Sequence, residues 1–319
     1  MRHIGLIVIG TFLTVGGCLT RSPRDPEVVL AAVLGERPFT DSIVLVSLEG
    51  ASRTLLAPTR QRSYTGVSAV SMRQPIAVQV NSLSSDAVTQ SLMEYNPETK
   101  RIRPSCWDVA TTKGMGAISP KSDTYAFPNF ASEHAGITFV RCNQTGGTPN
   151  VSQFIDPETS GNRAWYISLA WFADASRLAA VKVWRGGDFR GIRTELQLID
   201  VGTKKRQIVL GREDAVVACA VAKDGRVSVL DGRGVEILSP DSGERRIVLP
   251  TQRLDGRRYL SGGITWLNLS NDIVVGLVAP TETIGELWKI SARDGSAKVL
   301  DRRKGFRFAS ICSAEVQPK

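Results

Sequence analysis

The chain has 319 residues, a formal net charge of +9 and a hydrophobic fraction of 42%. This length suits one large domain, and this hydrophobic fraction excludes a wholly disordered chain. The basic balance favours association with acidic partners but does not identify one.

The N-terminal segment has the layout of a secretory signal peptide. Arg2 supplies a positive start, residues 4 to 15 are apolar, and Gly16 and Gly17 precede Cys18. The apolar run is shorter than the roughly 20 residues of a membrane-spanning helix. A permanent transmembrane helix and an ordinary cleavage site with an incidental cysteine stay open as alternatives.

The residues Val15 to Cys18, which read VGGC, resemble the lipobox of bacterial lipoproteins. That resemblance implies a signal peptide of residues 1 to 17, cleavage before Cys18, and a diacyl lipid on Cys18 that anchors the protein to a membrane. The family's sorting rule makes Leu19, in place of Asp, a sign of the outer membrane, facing the periplasm. Residues 18 to 27, rich in proline and charge, are expected to form a tether.

Four cysteines remain beyond the lipidated one: Cys106, Cys142, Cys219 and Cys312. They permit disulfides in an oxidising compartment but do not require them. Cys219 and Cys312 lie in apolar runs typical of strands and are expected to be buried free thiols. No pair has the spacing of a zinc or redox motif, so we expect no metal site.

Residues 28 to 319 are expected to form a single all-β domain, because short apolar runs alternate with Gly, Asp, Asn and Pro. Five hairpins share an apolar strand, a tight polar turn and a second apolar strand. Their starts are 48, 52, 51 and 44 residues apart, the spacing of four-stranded propeller blades. They begin at residues 69, 117, 169, 220 and 264.

A second set of hairpins, with charged turns, fits the outer rim of such blades, where charge discourages edge pairing. These hairpins begin at residues 43, 91, 195, 235 and 286. The first lacks an inner strand before it, and residues 305 to 316 form an inner strand with no blade after it. Each end is expected to complete the other, which predicts a six-bladed β-propeller. Seven blades or a β-sandwich are the alternatives.

The inner hairpins at residues 117, 169 and 220 resemble the TolB-type, WD-like propeller repeat, whose turn typically reads Asp-Gly. That turn is intact at Asp224-Gly225 and degraded in the other two. The resemblance implies the fold and leaves the function open, because propellers serve as lectins, hydrolases, accessory domains and scaffolds. Trp171 and Trp266 fall on inner strands and are expected to pack in the core.

Residues suited to catalysis are scarce. His134 is the one histidine after the signal segment, and no nucleophile-elbow motif is present. The carboxylate pairs Glu213 with Asp214 and Asp156 with Glu158 are expected to be solvated loop residues. We therefore expect no catalytic residue and no cofactor, and we favour a protein-interaction or ligand-binding scaffold. A propeller hydrolase or lectin acting on envelope glycans or peptides is the alternative.

Arginine and aromatic residues coincide in loops that a four-stranded meander places on one face of the disc. That composition is favoured at protein interfaces, and arginine can bind carboxylate or phosphate in a bidentate manner. The expected partner is an acidic envelope protein or a polyanionic ligand, not nucleic acid. A generally basic, solvated surface explains the same arginines. The candidate residues are Arg60, Arg62, Tyr64, Arg163, Trp165, Arg257, Arg258, Tyr259 and Arg303.

Overall fold

The protein is a six-bladed β-propeller, as the repeat spacing predicts. The computed structural model describes residues 27–37, 39–84, 87–109, 116–129, 136–142, 148–156, 164–185, 192–212, 216–250, 263–279 and 284–316. All regular structure in these ranges is β-strand, and they contain no helix that could cross a bilayer. The strands form six antiparallel sheets of four strands each.

The first three blades contain the following strands, from the innermost outwards. Blade 1 consists of β24 (Phe306–Glu315), β1 (Glu27–Gly35), β2 (Ser42–Val46) and β3 (Ser52–Leu56). Blade 2 consists of β4 (Arg62–Ser68), β5 (Ile76–Leu83), β6 (Val88–Asn96) and β7 (Arg101–Pro104). Blade 3 consists of β8 (Ala117–Ile118), β9 (Thr124–Asn129), β10 (Gly136–Arg141) and β11 (Asn150–Ile155).

The other three blades follow the same order. Blade 4 consists of β12 (Ala164–Trp171), β13 (Arg177–Arg185), β14 (Ile192–Asp200) and β15 (Arg206–Arg212). Blade 5 consists of β16 (Val216–Val221), β17 (Val227–Asp231), β18 (Gly234–Leu238) and β19 (Arg245–Pro250). Blade 6 consists of β20 (Ile264–Trp266), β21 (Asp272–Ala279), β22 (Ile284–Ser291) and β23 (Ala297–Lys304).

The ring closes by pairing the last strand with the first, which confirms the predicted completion of the N-terminal blade. β24 runs antiparallel to β1, with Leu30 opposite Cys312 and Glu27 opposite Glu315. β1 begins at Glu27, the last residue of the expected tether. Its sequence, EVVLAAVLG, is apolar almost throughout because both faces of the strand are covered.

The core consists of six apolar clusters, one at each seam between neighbouring blades. β1 shows how one strand serves two seams, since alternate side chains of a strand point to opposite faces. Val28 and Leu30 pack towards blade 2, whereas Val29 and Ala31 pack towards blade 6. Trp171 and Trp266 belong to the blade 3–4 and blade 5–6 clusters, which confirms their predicted core role.

A disulfide between Cys106 and Cys142 joins the segment after β7 in blade 2 to the end of β10 in blade 3. Cys219 and Cys312 are free. Burial raises the pKa of each of these two thiols to about 12, so neither is a thiolate at neutral pH. The prediction of a buried free thiol is confirmed for Cys219, whereas Cys312 is free but only partly buried.

The disc has two faces, distinguished by which turns they carry. The terminal face carries the turns between first and second and between third and fourth strands, together with Glu27 and Glu315 of the closing pair. The connecting face carries the inter-blade connections, such as residues 57 to 61, and the loops between second and third strands.

Candidate binding site

A central channel runs between the six innermost strands and encloses a cavity of about 840 Å³. Its wall is largely apolar and takes residues from every blade. One representative from each blade, in order from blade 1, is Ala309, Val67, Ala117, Leu169, Cys219 and Ile264. A mostly apolar concavity of this size is the usual form of a ligand site in proteins.

Hydroxyl groups of the channel wall hydrogen-bond across the seams between blades. Ser68 Oγ accepts from the N–H of Ile118 at 2.9 Å, Ser168 Oγ from that of Cys219 at 3.1 Å, and Thr265 Oγ1 from that of Ser313 at 3.2 Å. These N–H groups lie on innermost strands, which have a neighbouring strand on one side only. The hydroxyl groups are therefore part of the ring structure.

Few charged side chains line the channel. Lys223 and Glu315 lie towards the terminal face, and Arg307 lies near the start of β24, towards the connecting face. Among the residues that the structure describes, no three His, Cys, Asp or Glu side chains are clustered so as to hold a metal ion. His134 lies outside the described residues. The described channel wall is thus mostly apolar, with charged side chains at its two mouths.

Arg60 and Arg62 lie on a tight turn at the connecting face, where both are exposed. The Thr59 N–H donates to the Arg62 carbonyl at 2.8 Å, and the Thr59 Oγ1 accepts from the N–H groups of Gln61 and Arg62. Backbone hydrogen bonds and the Thr59 hydroxyl fix this turn. Among the described contacts, none that holds the turn involves the guanidinium groups of Arg60 and Arg62, and both face solvent.

The other candidates on the connecting face differ in their availability. Tyr64 is only 7% exposed and packs in the cluster between blades 1 and 2, so it is a core residue and the expectation of a surface contact is wrong for it. Trp165 is half-buried on β12. Arg303 is engaged with the Asp301 carboxylate at 3.0 Å and with Ser52 Oγ at 3.3 Å. Arg307, at the channel mouth, was not predicted because it lies within an inner strand.

The remaining candidates lie outside the described residues. They are the signal segment of residues 1 to 17 with the lipidation site Cys18, and the connecting-face residues Arg163, Arg257, Arg258 and Tyr259. Their expected roles stay predictions.

Asp156 is the centre of a buried ionic cluster, so its expected place in a solvated loop is wrong. The Lys182 Nζ lies 2.5 Å from Asp156 Oδ2 with both side chains fully buried, and Arg206 Nη1 lies 3.3 Å from the same oxygen. Tyr166 Oη donates to Gln197 Oε1 at 2.8 Å. Residue spacing gave no signal of this cluster, because its members come from β12 to β15 and from the segment after β11.

No family model matches the chain, and no curated protein matches it. The fold is similar to a chain of the nidogen/laminin complex, with a TM-score of 0.63 and 10% identity over 90% of this chain and 98% of that one. It is also similar to a protein described as TolB from Agrobacterium tumefaciens, with a TM-score of 0.59 and 11% identity over 92% of this chain and 99% of that one.

A third similar structure belongs to an enzyme, a puromycin-hydrolyzing peptidase from Mycobacterium tuberculosis. Its TM-score is 0.55 with 12% identity, over 85% of this chain and 45% of the peptidase. Identities this low establish the fold alone. The chain is a six-bladed β-propeller whose structural neighbours include both a TolB protein and enzymes.

Proposed function

We propose that this protein is a non-catalytic, lipid-anchored envelope protein whose propeller binds a partner at the connecting face. Cys18 carries the lipid, and the protein resides at the outer membrane facing the periplasm. The partner is an acidic envelope protein or a polyanionic ligand.

The wall of the central channel carries this proposal. Its hydroxyls at Ser68, Ser168 and Thr265 form hydrogen bonds between blades, and its charged side chains lie at the mouths. Hydrolysis needs a nucleophile, a base and an oxyanion-stabilising group that converge on one point. An apolar channel with a basic mouth suits binding of a partner segment instead.

The charge of the connecting face indicates the chemistry of the partner. Arg60 and Arg62 stand exposed on a turn fixed by Thr59, and Arg307 lies at the mouth of the channel. Arginine can bind a carboxylate or phosphate through two parallel hydrogen bonds. Carboxylates or phosphates on the partner would therefore find preorganised donors around an apolar opening.

The disulfide between Cys106 and Cys142 supports export of the chain. Such bonds form and persist in oxidising compartments such as the periplasm and are rare in the cytosol. Mass spectrometry of the mature protein tests the anchor directly. We expect an N-terminus at Cys18 that carries diacylglycerol, and a chain that still begins at Met1 would contradict this part of the proposal.

Capture of partners from detergent-solubilised envelope tests the binding role. The wild type is compared with a variant changed to Ala at Arg60, Arg62, Arg257 and Arg258. Arg303 is left in place because it is tied to Asp301. A matched control is changed to Ala at Arg53 and Arg101, both exposed next to turns of the terminal face.

We expect the wild type and the control to capture the same acidic partner and the connecting-face variant to lose it. Equal capture by all three proteins would contradict binding through these arginines. Release of glycan or peptide fragments from isolated envelope by the purified protein would contradict the non-catalytic role and favour a hydrolase.

A further inference from the structure

We propose that the terminal face lies against an anionic phospholipid bilayer, with the turn at Leu269 at the membrane surface and a neighbouring arginine groove over the lipid headgroups. The inference rests on the proposed lipid anchor at Cys18, because that anchor brings this face to the membrane. It adds an orientation, a second contact surface and a lipid preference.

The point where the chain enters the propeller is fixed to one turn of the terminal face. Glu27 begins β1, and its carboxylate accepts hydrogen bonds from the N–H groups of Asn268 at 2.7 Å and Leu269 at 3.2 Å. The residues from Cys18 to Glu27 span at most about 30 Å even when fully extended. A lipid on Cys18 would therefore keep the Leu269 turn within that distance of the bilayer.

Leu269 stands out at this entry point because its side chain is 57% exposed. It lies in the turn between β20 and β21, which is closed by a bond from the Asn271 N–H to the Leu267 carbonyl at 3.0 Å. A single exposed leucine is common on protein surfaces. One that projects from a fixed turn beside the expected tether is suited to the headgroup–acyl boundary, where partly buried apolar side chains anchor proteins.

A groove of about 470 Å³ adjoins this turn and is lined by Arg226, Arg246 and Arg293. Arg246 donates from Nη1 to the Arg293 carbonyl at 2.8 Å and from Nη2 to the Ala292 carbonyl. These acceptors are neutral, so the positive charge of Arg246 is held in place without an opposing carboxylate. Arg293 is exposed on the turn between β22 and β23.

Two of the three carboxylates in or beside the groove form ion pairs with cations other than Arg246 and Arg293. Asp224 pairs with Arg226 at 2.8 Å, and Asp272 pairs with Lys289 at 3.0 Å. Asp294 remains, and hydrogen bonds from Ser296 lower its pKa to about 2, so it keeps its charge at neutral pH. Arg246 and Arg293 outweigh this one carboxylate, and the groove favours phosphate groups.

This orientation places the connecting face away from the bilayer. The terminal face would carry the lipid contact, while Arg60, Arg62 and the Arg307 mouth of the channel would face the compartment that holds the partner. The two basic surfaces of the disc would thus have different ligands. Each Lys or Arg near an anionic membrane surface increases the partition of a protein onto that membrane by roughly fivefold.

The orientation can be measured with a polarity-sensitive fluorophore on a single introduced cysteine. Leu269→Cys carries the label on the terminal face, and Gln61→Cys, exposed on the connecting face, is the matched control. Cys219 is buried, Cys312 is partly buried with a pKa of about 12, and the other pair is disulfide-bonded, which limits labelling elsewhere. The lipidated protein is reconstituted in vesicles with or without phosphatidylglycerol, in the presence of a quencher in the bilayer.

We expect the Leu269→Cys label to shift its emission to the blue and to be quenched, and the Gln61→Cys label to remain in water. Equal behaviour of the two labels, or burial of the Gln61→Cys label alone, would overturn the proposal. The anchor itself is judged separately, by the mass of the mature N-terminus.

The chain that starts at residue 18, with Cys18→Ser, keeps all the strands that the structure describes. Its binding to vesicles tests the groove without a lipid anchor. Arg293→Gln should weaken its partition to phosphatidylglycerol vesicles about fivefold, and Arg246→Gln/Arg293→Gln more, whereas Arg60→Gln/Arg62→Gln should match the wild type. Arg293 supports no turn through its side chain, so its variant stays informative if Arg246→Gln lowers stability. Loss of all vesicle preference with retained binding of inorganic phosphate would assign the groove to a soluble anion and overturn membrane docking.

Discussion

Ser310 and Val67 join blade 1 to blade 2 at the channel wall through a reciprocal pair of hydrogen bonds. The Ser310 Oγ accepts from the Val67 N–H at 3.2 Å and donates to the Val67 carbonyl at 2.8 Å. The strands of neighbouring blades belong to separate sheets, so the inner ring depends on such side-chain links, on the apolar seams and on a few backbone contacts such as the bridge between Ser71 and Glu315.

Ser310→Ala should lower the free energy of unfolding by about 1 kcal/mol, because it removes the partner of both backbone groups of Val67. The cost stays at the low end because water in the channel can replace part of the lost bonding. Urea unfolding measures the change. Ser84→Ala, on an exposed loop of blade 2, is the control and should change stability by less than about 0.5 kcal/mol.

Lys182→Met should destabilise the protein by about 3 to 5 kcal/mol, because it leaves the buried carboxylate of Asp156 without its nearest cation. Chemical denaturation gives the value. Lys205→Met, an exposed lysine of the same blade, is the matched control and should have little effect. Equal stability of the two variants would contradict a closed ionic cluster at Asp156.

Reduction of the Cys106–Cys142 disulfide should lower stability by about 4 kcal/mol. The bond spans a sequence separation of 36 residues, and the value follows from the loop-closure entropy of a loop of this length. Urea midpoints with and without a thiol reductant provide the measurement. An unchanged midpoint would mean that the bond does not restrain the unfolded chain, or that it does not form.

Glu27→Gln should improve in stability relative to the wild type as the pH rises from 4 to 7. Burial raises the pKa of Glu27 above its ordinary value of 4.5, although the N–H groups of Asn268 and Leu269 oppose the shift. The folded state then holds this proton more tightly than the unfolded chain, so its stabilising contribution is greatest below pH 4.5 and declines as the pH rises through the folded-state pKa.

Thermal unfolding of Glu27→Gln and the wild type at several pH values tests this sign, because other titrating groups cancel in the difference. A variant that instead loses stability relative to the wild type towards pH 7 would show that the bonds from Asn268 and Leu269 outweigh the cost of burial. That result would also strengthen the role of Glu27 in fixing the chain entry.

The blade count could be predicted from sequence because hairpins with tight polar turns recur at a regular spacing and because residues 305 to 316 lacked a blade of their own. Closure by β24 follows from the same incompleteness. The apolar run around Cys219 and the inner-strand position of Trp266 also predicted the burial of these two residues. These features are local or periodic, so they appear in one chain without any knowledge of contacts.

Contacts between distant segments could not be predicted. Asp156 and Lys182 are 26 residues apart and meet only because β11 and β13 belong to adjacent blades, so Asp156 looked like a loop residue. Tyr64 lies only two residues after Arg62, but Arg62 begins β4 at the exposed end of the strand, whereas Tyr64 lies further into the blade and packs between blades 1 and 2. The position of Leu269 beside Glu27 depends on ring closure. Glu27 lies 241 positions before Asn268 and 242 before Leu269 in the sequence, yet it accepts hydrogen bonds from both.

Site-specific photo-crosslinking in living cells tests the central claim, that the connecting face binds the partner, most directly. A photoreactive amino acid is placed at position 60 on the connecting face and, in a second protein, at position 269 on the terminal face. We predict a discrete crosslink to an acidic envelope protein from position 60 and none from position 269. A protein crosslink from position 269 alone would contradict the account.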